Sequence, residues 1–317
     1  TTELMKKIKF TVYLTGVIAL LVSMTLLSCG NDDSDDPLGN DKNDNINANT
    51  PVEILCEEGE NIKPEFVVKR LELPHLQTRG SKVIVHSSKG EVNYTVEWDT
   101  ELNSQHWTCY EMYADNSTVR TSRYYGNPQY PKDPLLPTTD LIYGSGYDHG
   151  HICPSADRLS SKELNYQTFF LTNMQPQRSV FNGSADGPAG IWLNMENAVR
   201  NLGRRRSFCD TLYVCKGGTI GRGGNLNNQV LEIRRNGLIV PGYFFVALLR
   251  VYKGQYNAIG LLFKHEDNTD AFLGDYAMSI DQLEALTGFD FFCNLPDSRE
   301  KVIESTYNPS IWGFKKR

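Results

Sequence analysis

The chain has 317 residues, 40% hydrophobic and 11% aromatic, which is enough to bury a core in one large domain or two small ones. Its formal net charge of −6 gives no whole-chain basic footprint of the kind expected for a nucleic-acid binder. The short basic runs at Arg204, Arg205 and Arg206, at Arg234 and Arg235, and in the C-terminal "GFKKR" read first as solvated faces.

From Met5, "MKKIKF" is a basic stretch and "TVYLTGVIALLVSMTLL" an apolar one that ends at "LLSC". That order reads as a secretory signal peptide. Ser28 before Cys29 resembles a lipobox, so residues 1–29 are expected to be a lipoprotein signal with Cys29 the lipidated residue. The four residues before Met5 read as a miscalled start, and a plain transmembrane anchor is the alternative. The expected location is outside the cytoplasm, lipid-anchored to the outer membrane or cell surface. Gly30 to Pro51 is acidic and nearly devoid of apolar residues, so residues 30–60 are assigned as a disordered linker and 61–317 as the folded domain. Beyond Cys29 six cysteines remain, with no zinc-type CxxC pair; in an exported chain they suggest disulfides, with fifteen connectivities open.

"KVIVHSS" and "EVNYTVEWDTEL" alternate apolar and polar residues and read as a hairpin, with "HWTCYEMYA" as the next strand. "GNPQYPKDPLLPTTD" is a loop. "SSKELNYQ" predicts a helix start with Ser160 and Glu163 as a capping box. Gln167 to Met174 is a candidate buried strand. Trp192, Met195, Val199 and Leu202 fall at helical spacing, and Gly203 is a natural stop. Strands "TLYVCKGG", "VPGYFFVALLRVY" and "YNAIGLLFKH" follow, then a capped helix "SIDQLEALTG". Strands and helices mix without a βαβ rhythm, so the predicted class is α+β: a central mixed or antiparallel sheet with flanking helices.

The chemistry gathers around "GYDHGHICPSADR", Gly146 to Arg158. His151 is a natural general base near neutral pH, and Gly150 beside it allows a bend or a close approach. An alternative takes His149, His151 and Cys153, at alternate positions, as metal ligands on one face of a strand. Downstream, Asn173 and Asn182 offer amide oxygens suited to Mg2+, and Glu196 stands one turn after Trp192 as a helix-start carboxylate or a holder of metal-bound water.

Taken in order, "GYDHGHICPSADR", "FFLTNMQPQ", "FN", "AGIWLNMENAVR" and the later "TGFDFFCNLPD" resemble the DNA/RNA non-specific endonuclease family of ββα-metal, or His-Me finger, nucleases, over roughly residues 67–315. The resemblance implies a metal-dependent endonuclease acting on DNA and RNA with Mg2+, or Mn2+ as an alternative ion. It implies that His151 activates water, that Asn182 is the protein ligand of a single hydrated ion, and that Glu196 holds that ion through its waters. Arg120 matches the upstream arginine, with Arg123 competing, and Asn173 matches a position close to the chemistry. His149, Arg158 and Gln177 are expected on the substrate side, and Asp148 as a brace of the loop. Two departures stand out. His149 replaces the family's arginine. "GSADGP" reads as an insertion that moves the metal asparagine back to Asn182, 31 residues after His151. A catalytically weak or inactive surface lipoprotein that binds nucleic acid is the other functional reading.

Overall fold

The computed structural model describes residues 45–77, 79–123, 130–183, 190–226, 228–268 and 272–316. The signal segment, Cys29 and most of "GSADGP" lie outside them. In chain order the strands are β1 (Ile54–Cys56), β2 (Ser81–Ser88), β3 (Glu91–Asp99), β4 (Ser104–Met112), β5 (Asp148–His151), β6 (Met174–Gln177), β7 (Thr211–Gly218), β8 (Val230–Ile233), β9 (Ile239–Pro241), β10 (Tyr243–Tyr252), β11 (Gln255–Lys264) and β12 (Ala277–Met278). The helices are α1 (Pro64–Val67), α2 (Lys162–Gln167), α3 (Ser179–Asn182), α4 (Ile191–Gly203), α5 (Ile280–Thr287), α6 (Asp297–Glu304) and α7 (Pro309–Trp312).

Eight strands form one sheet in the order β1-β2-β3-β4-β7-β10-β11-β12. β1 runs parallel to β2 and the other neighbours are antiparallel, so the sheet is mixed and the class α+β. Lys89 and Gly90, at φ 57° and 78°, make the tight β2–β3 turn; two consecutive positive φ angles match the right-handed twist of a hairpin.

The sheet buries both faces. On β10, Phe244, Val246 and Leu248 join a core layer with Trp192, Met195 and Val199 of α4. Phe245, Ala247 and Leu249 join the opposite layer with Ile280 and Leu283 of α5. A strand covered on both sides has no polar face, which is why "FFVALL" is an unbroken apolar run.

Several expectations are corrected. The end of the assigned linker is folded: Ile54, Leu55 and Cys56 pair with Val83, Ile84 and Val85, and Asn49 donates to Pro74 O at 3.0 Å. Gln167 to Met174 is buried but is not a strand. α2 ends at Gln167, residues 171–173 form a 3-10 turn, and extended pairing begins only at Met174. The cap of α2 is Ser161, whose hydroxyl accepts from Leu164 N at 3.1 Å, one residue later than expected. The expected disulfides are absent among the described residues. Cys56, Cys109, Cys153, Cys209, Cys215 and Cys293 are free, although Cys109 and Cys215 face each other across β4 and β7.

Candidate active site

β5 and β6 form a separate two-stranded ribbon, with Asp148 opposite Gln177, Gly150 opposite Gln175 and His151 opposite Met174. Gly150 is required by packing: a Cβ there would lie 2.3 Å from Gln177 Cδ. The ribbon is tied to the helices that follow it. Trp192 Nε1 on α4 donates to the His151 carbonyl at 3.1 Å, and Phe181 of α3 stacks on Trp192. Asp148 accepts from Ser179 Oγ at 2.8 Å and from Asn182 Nδ2 at 3.2 Å, which fastens α3 to the start of β5.

The His151 ring is held edge-on against Phe169 at 4.8 Å. Its Nε2 is buried and has no hydrogen-bond partner among the described residues, while the ring bonds to the His149 backbone. That leaves Nδ1–H as donor and Nε2 as the open lone pair. Burial, with the Arg123, His149 and Lys216 charges nearby, lowers the His151 pKa to about 3, so the imidazole is neutral at ordinary pH.

Glu196 lies on α4 one turn beyond Trp192 and 3.7 Å from Arg200. Burial pushes its carboxyl up to about 7, against the pull of Lys216, Arg200 and Arg123. Arg123 therefore acts on both His151 and Glu196. Lys216 does the same from below. It is fully buried on β7, on the face shared by Leu212 and Val214, and packs over the rings of Tyr110 and Trp192 at 5.2 and 5.3 Å. Its ammonium has no hydrogen-bond partner among the described residues, and burial lowers its pKa.

His149 stacks on Tyr130 at 4.1 Å and points Nε2 at the Asp140 carboxylate, 2.9 and 3.0 Å from its two oxygens. Cys153 is fully buried, with its thiol pushed up to about 12 by burial. A thiol so hard to ionise is poorly suited to complete a metal triad with the two histidines.

Four expected site residues are placed otherwise. Asn173 is fully buried and its amide is spent on the backbone: Oδ1 accepts from Cys153 N at 2.8 Å, and Nδ2 donates to Cys153 O at 2.9 Å and Thr168 O at 2.7 Å. It shapes the exit of β5 and does not face the reacting groups. Arg158 is 3% exposed, and its guanidinium donates to the carbonyls of Asn93, Asp157 and Glu111 while covering the Tyr110 ring. Gln177 is fully buried beneath Gly150. Arg120 lines a cleft together with Arg158 and Glu111, and none of His149, His151, Asn182 and Glu196 lines it. Arg123 is the arginine that acts on the site.

An antiparallel ribbon carrying His151, followed by helices carrying Asn182 and Glu196, is the ββα arrangement of metal-dependent nucleases, and the chain is an endonuclease. A family model for DNA/RNA non-specific endonucleases matches residues 78–298, and the chain belongs to that family. It is 27% identical to a nuclease of Nostoc sp. over 219 residues, covering 67% of this chain and 75% of that protein. It is 26% identical to the mitochondrial nuclease of Saccharomyces cerevisiae over 244 residues, covering 72% of each. Nuclease C1 of Cunninghamella echinulata is 24% identical over 215 residues, covering 64% of this chain and 81% of that one. The fold is also similar to a chain in a crystal structure of an EndoG/EndoGI complex, with TM-score 0.54, 20% identity and coverage of 67% of this chain and 86% of that chain.

Proposed function

We propose that the protein is a Mg2+-dependent, sugar-non-specific endonuclease that hydrolyses phosphodiester bonds in DNA and RNA. The observation that carries the reading is the orphaned Nε2 of His151, a buried acceptor whose tautomer is set by the bond to the His149 backbone. A neutral imidazole with a free lone pair can take a proton from an attacking water.

The donor set fits a hard, mostly hydrated cation. Asp148 takes the Asn182 amide nitrogen, which turns Oδ1 to the other side as a neutral oxygen ligand. Glu196 supplies a carboxylate to hold the ion's waters, and the buried thiol of Cys153 does not compete. Bound by Asn182 and Glu196, Mg2+ would supply positive charge for the phosphoryl and leaving oxygens. Arg123 supplies a second cation where negative charge develops, and His149 and Tyr130 offer a stacked pair beside the base. Charge and phosphate contacts of this kind carry no base readout, which supports action without regard to sequence or sugar.

The basic start, apolar run and terminal Cys29 support an exported form held at a membrane surface by lipid. The test of the activity incubates the purified chain with supercoiled plasmid and with RNA, in Mg2+, Mn2+ or EDTA. Degradation of both substrates with metal, abolished by EDTA and by His151→Ala, is the expected result. Intact substrate with a retained gel shift would instead support a binding protein.

A further inference from the structure

The face of the sheet opposite His151 carries a second set of convergent groups. Asp281 and Glu284 lie one turn apart on α5, and Glu304 is the last residue of α6. One carboxylate oxygen from each lies within 4.8 Å of the others. Glu304 is only 5% exposed, and its Oε1 is buried without a hydrogen-bond partner among the described residues. Glu284 Oε1 accepts from Phe291 N at 2.8 Å, which fixes the direction of that carboxylate.

Burial raises Glu284 and Glu304, and the charges acting most on them are carboxylates, Asp281, Asp290 and Glu300 among them. Glu304 also stands at the negative end of α6, where a helix disfavours an anion. A buried carboxylate without a partner is costly, and a cation among three of them removes the cost.

We propose that Asp281, Glu284 and Glu304 form a Ca2+ site that clamps α5 to α6, separate from the nuclease site. The donors are all hard oxygens, with no nitrogen or sulfur, which suits a hard cation such as Ca2+ or Mg2+. Coordination geometry favours one of the two common ones. Oxygens bound to one Ca2+ can stand up to about 5 Å apart, so the present spacing needs little movement. Mg2+ demands near-ideal octahedral geometry and keeps most of its waters, whereas Ca2+ accepts an irregular set of carboxylate oxygens such as this one.

The test strips the full chain with EDTA and titrates it calorimetrically with CaCl2 and, separately, MgCl2, alongside thermal melts. Expected are a Ca2+-binding event retained in Asn182→Ala and a rise in Tm of roughly 5 °C at a hundredfold excess over Kd. Asp281→Asn and Glu304→Gln should each weaken Ca2+ binding at least about tenfold while cleavage in saturating Mg2+ stays near wild type. Asp281 is exposed, so its variant remains informative if Glu304→Gln folds poorly. Absence of Ca2+ binding, binding undiminished in Asp281→Asn, or Mg2+ binding as tight as Ca2+ at this site would each overturn the proposal.

Discussion

Asn182 donates its Nδ2 to Asp148 Oδ2 at 3.2 Å, so a residue on the first strand of the ribbon orients a side chain on the helix that follows the second. Ser179 Oγ, at 2.8 Å, occupies the other oxygen of the same carboxylate. The brace expected of Asp148 thus acts on Asn182, the proposed metal ligand. Asp148→Ala should free the Asn182 amide to rotate. Mg2+ affinity should fall about 10–100-fold, as for lost support of a metal ligand. Calorimetric titration with Mg2+ measures this, and unchanged affinity would remove Asp148 from that role.

His151→Ala removes an acceptor that has no hydrogen-bond partner among the described residues and that is proposed to take a proton from water. A loss of about 10²–10⁴-fold in kcat is expected, with little change in substrate affinity, since proton transfer and not binding is lost. Single-turnover cleavage and a gel shift separate the two. A variant that cleaves normally would move the base elsewhere.

His149 spends Nε2 on the Asp140 carboxylate and lays its ring on Tyr130. An arginine has five donors in a planar fork, so it can hold Asp140, cover the same ring and still reach a phosphate. His149→Arg should therefore keep or raise neutral-pH activity. A severe loss would show that the histidine is needed as it stands.

Much of this was legible because sequence order and alternation suffice for it. The unbroken apolar run of β10, the β2–β3 hairpin and the helix through Trp192 each carry their own period. His151, Asn182 and Glu196 follow one another within a short stretch, so the structure only had to fold that stretch into ribbon and helices. β1 escaped because three residues carry no period, and its pairing with β2 is settled by the sheet edge. Arg120 and Arg123 could not be separated because a loop decides between them, and the Arg120 backbone is tied to Leu159 O at 2.8 Å. Lys216 did leave a signal: it continues the alternation of Leu212 and Val214, which places a lysine on the buried face under α4.

Asn173 is a correction with a measurable consequence. Its amide makes three hydrogen bonds to buried backbone groups of Cys153 and Thr168. Asn173→Ala should leave those groups unpaired and cost about 3 kcal/mol of stability, read by chemical denaturation. Whatever activity the folded fraction retains should keep the wild-type pH profile. A changed profile with unchanged stability would restore a direct role in the chemistry.

Glu196 in its proposed role of holding the ion's waters should make metal binding depend on pH. Its carboxyl stands at about 7 in place of the ordinary 4.5, because burial penalises the anion more than Lys216, Arg200 and Arg123 relieve it. The folded, metal-free protein thus keeps a proton between 4.5 and 7 that the unfolded chain has released. Stability from this group falls as pH rises through that window. Mg2+ requires the anion, so its affinity should fall by about tenfold per pH unit as pH drops below 7. Glu196→Gln should flatten that slope. The Lys216 cation favours the Glu196 anion, so Lys216→Met should move the midpoint to higher pH while sparing the fold, since methionine suits a site lined by Tyr110 and Trp192. Titration of Mg2+ across pH 5.5 to 8.5, roughly bracketing the group, checks all three. A flat wild-type profile would exclude Glu196 from holding the ion.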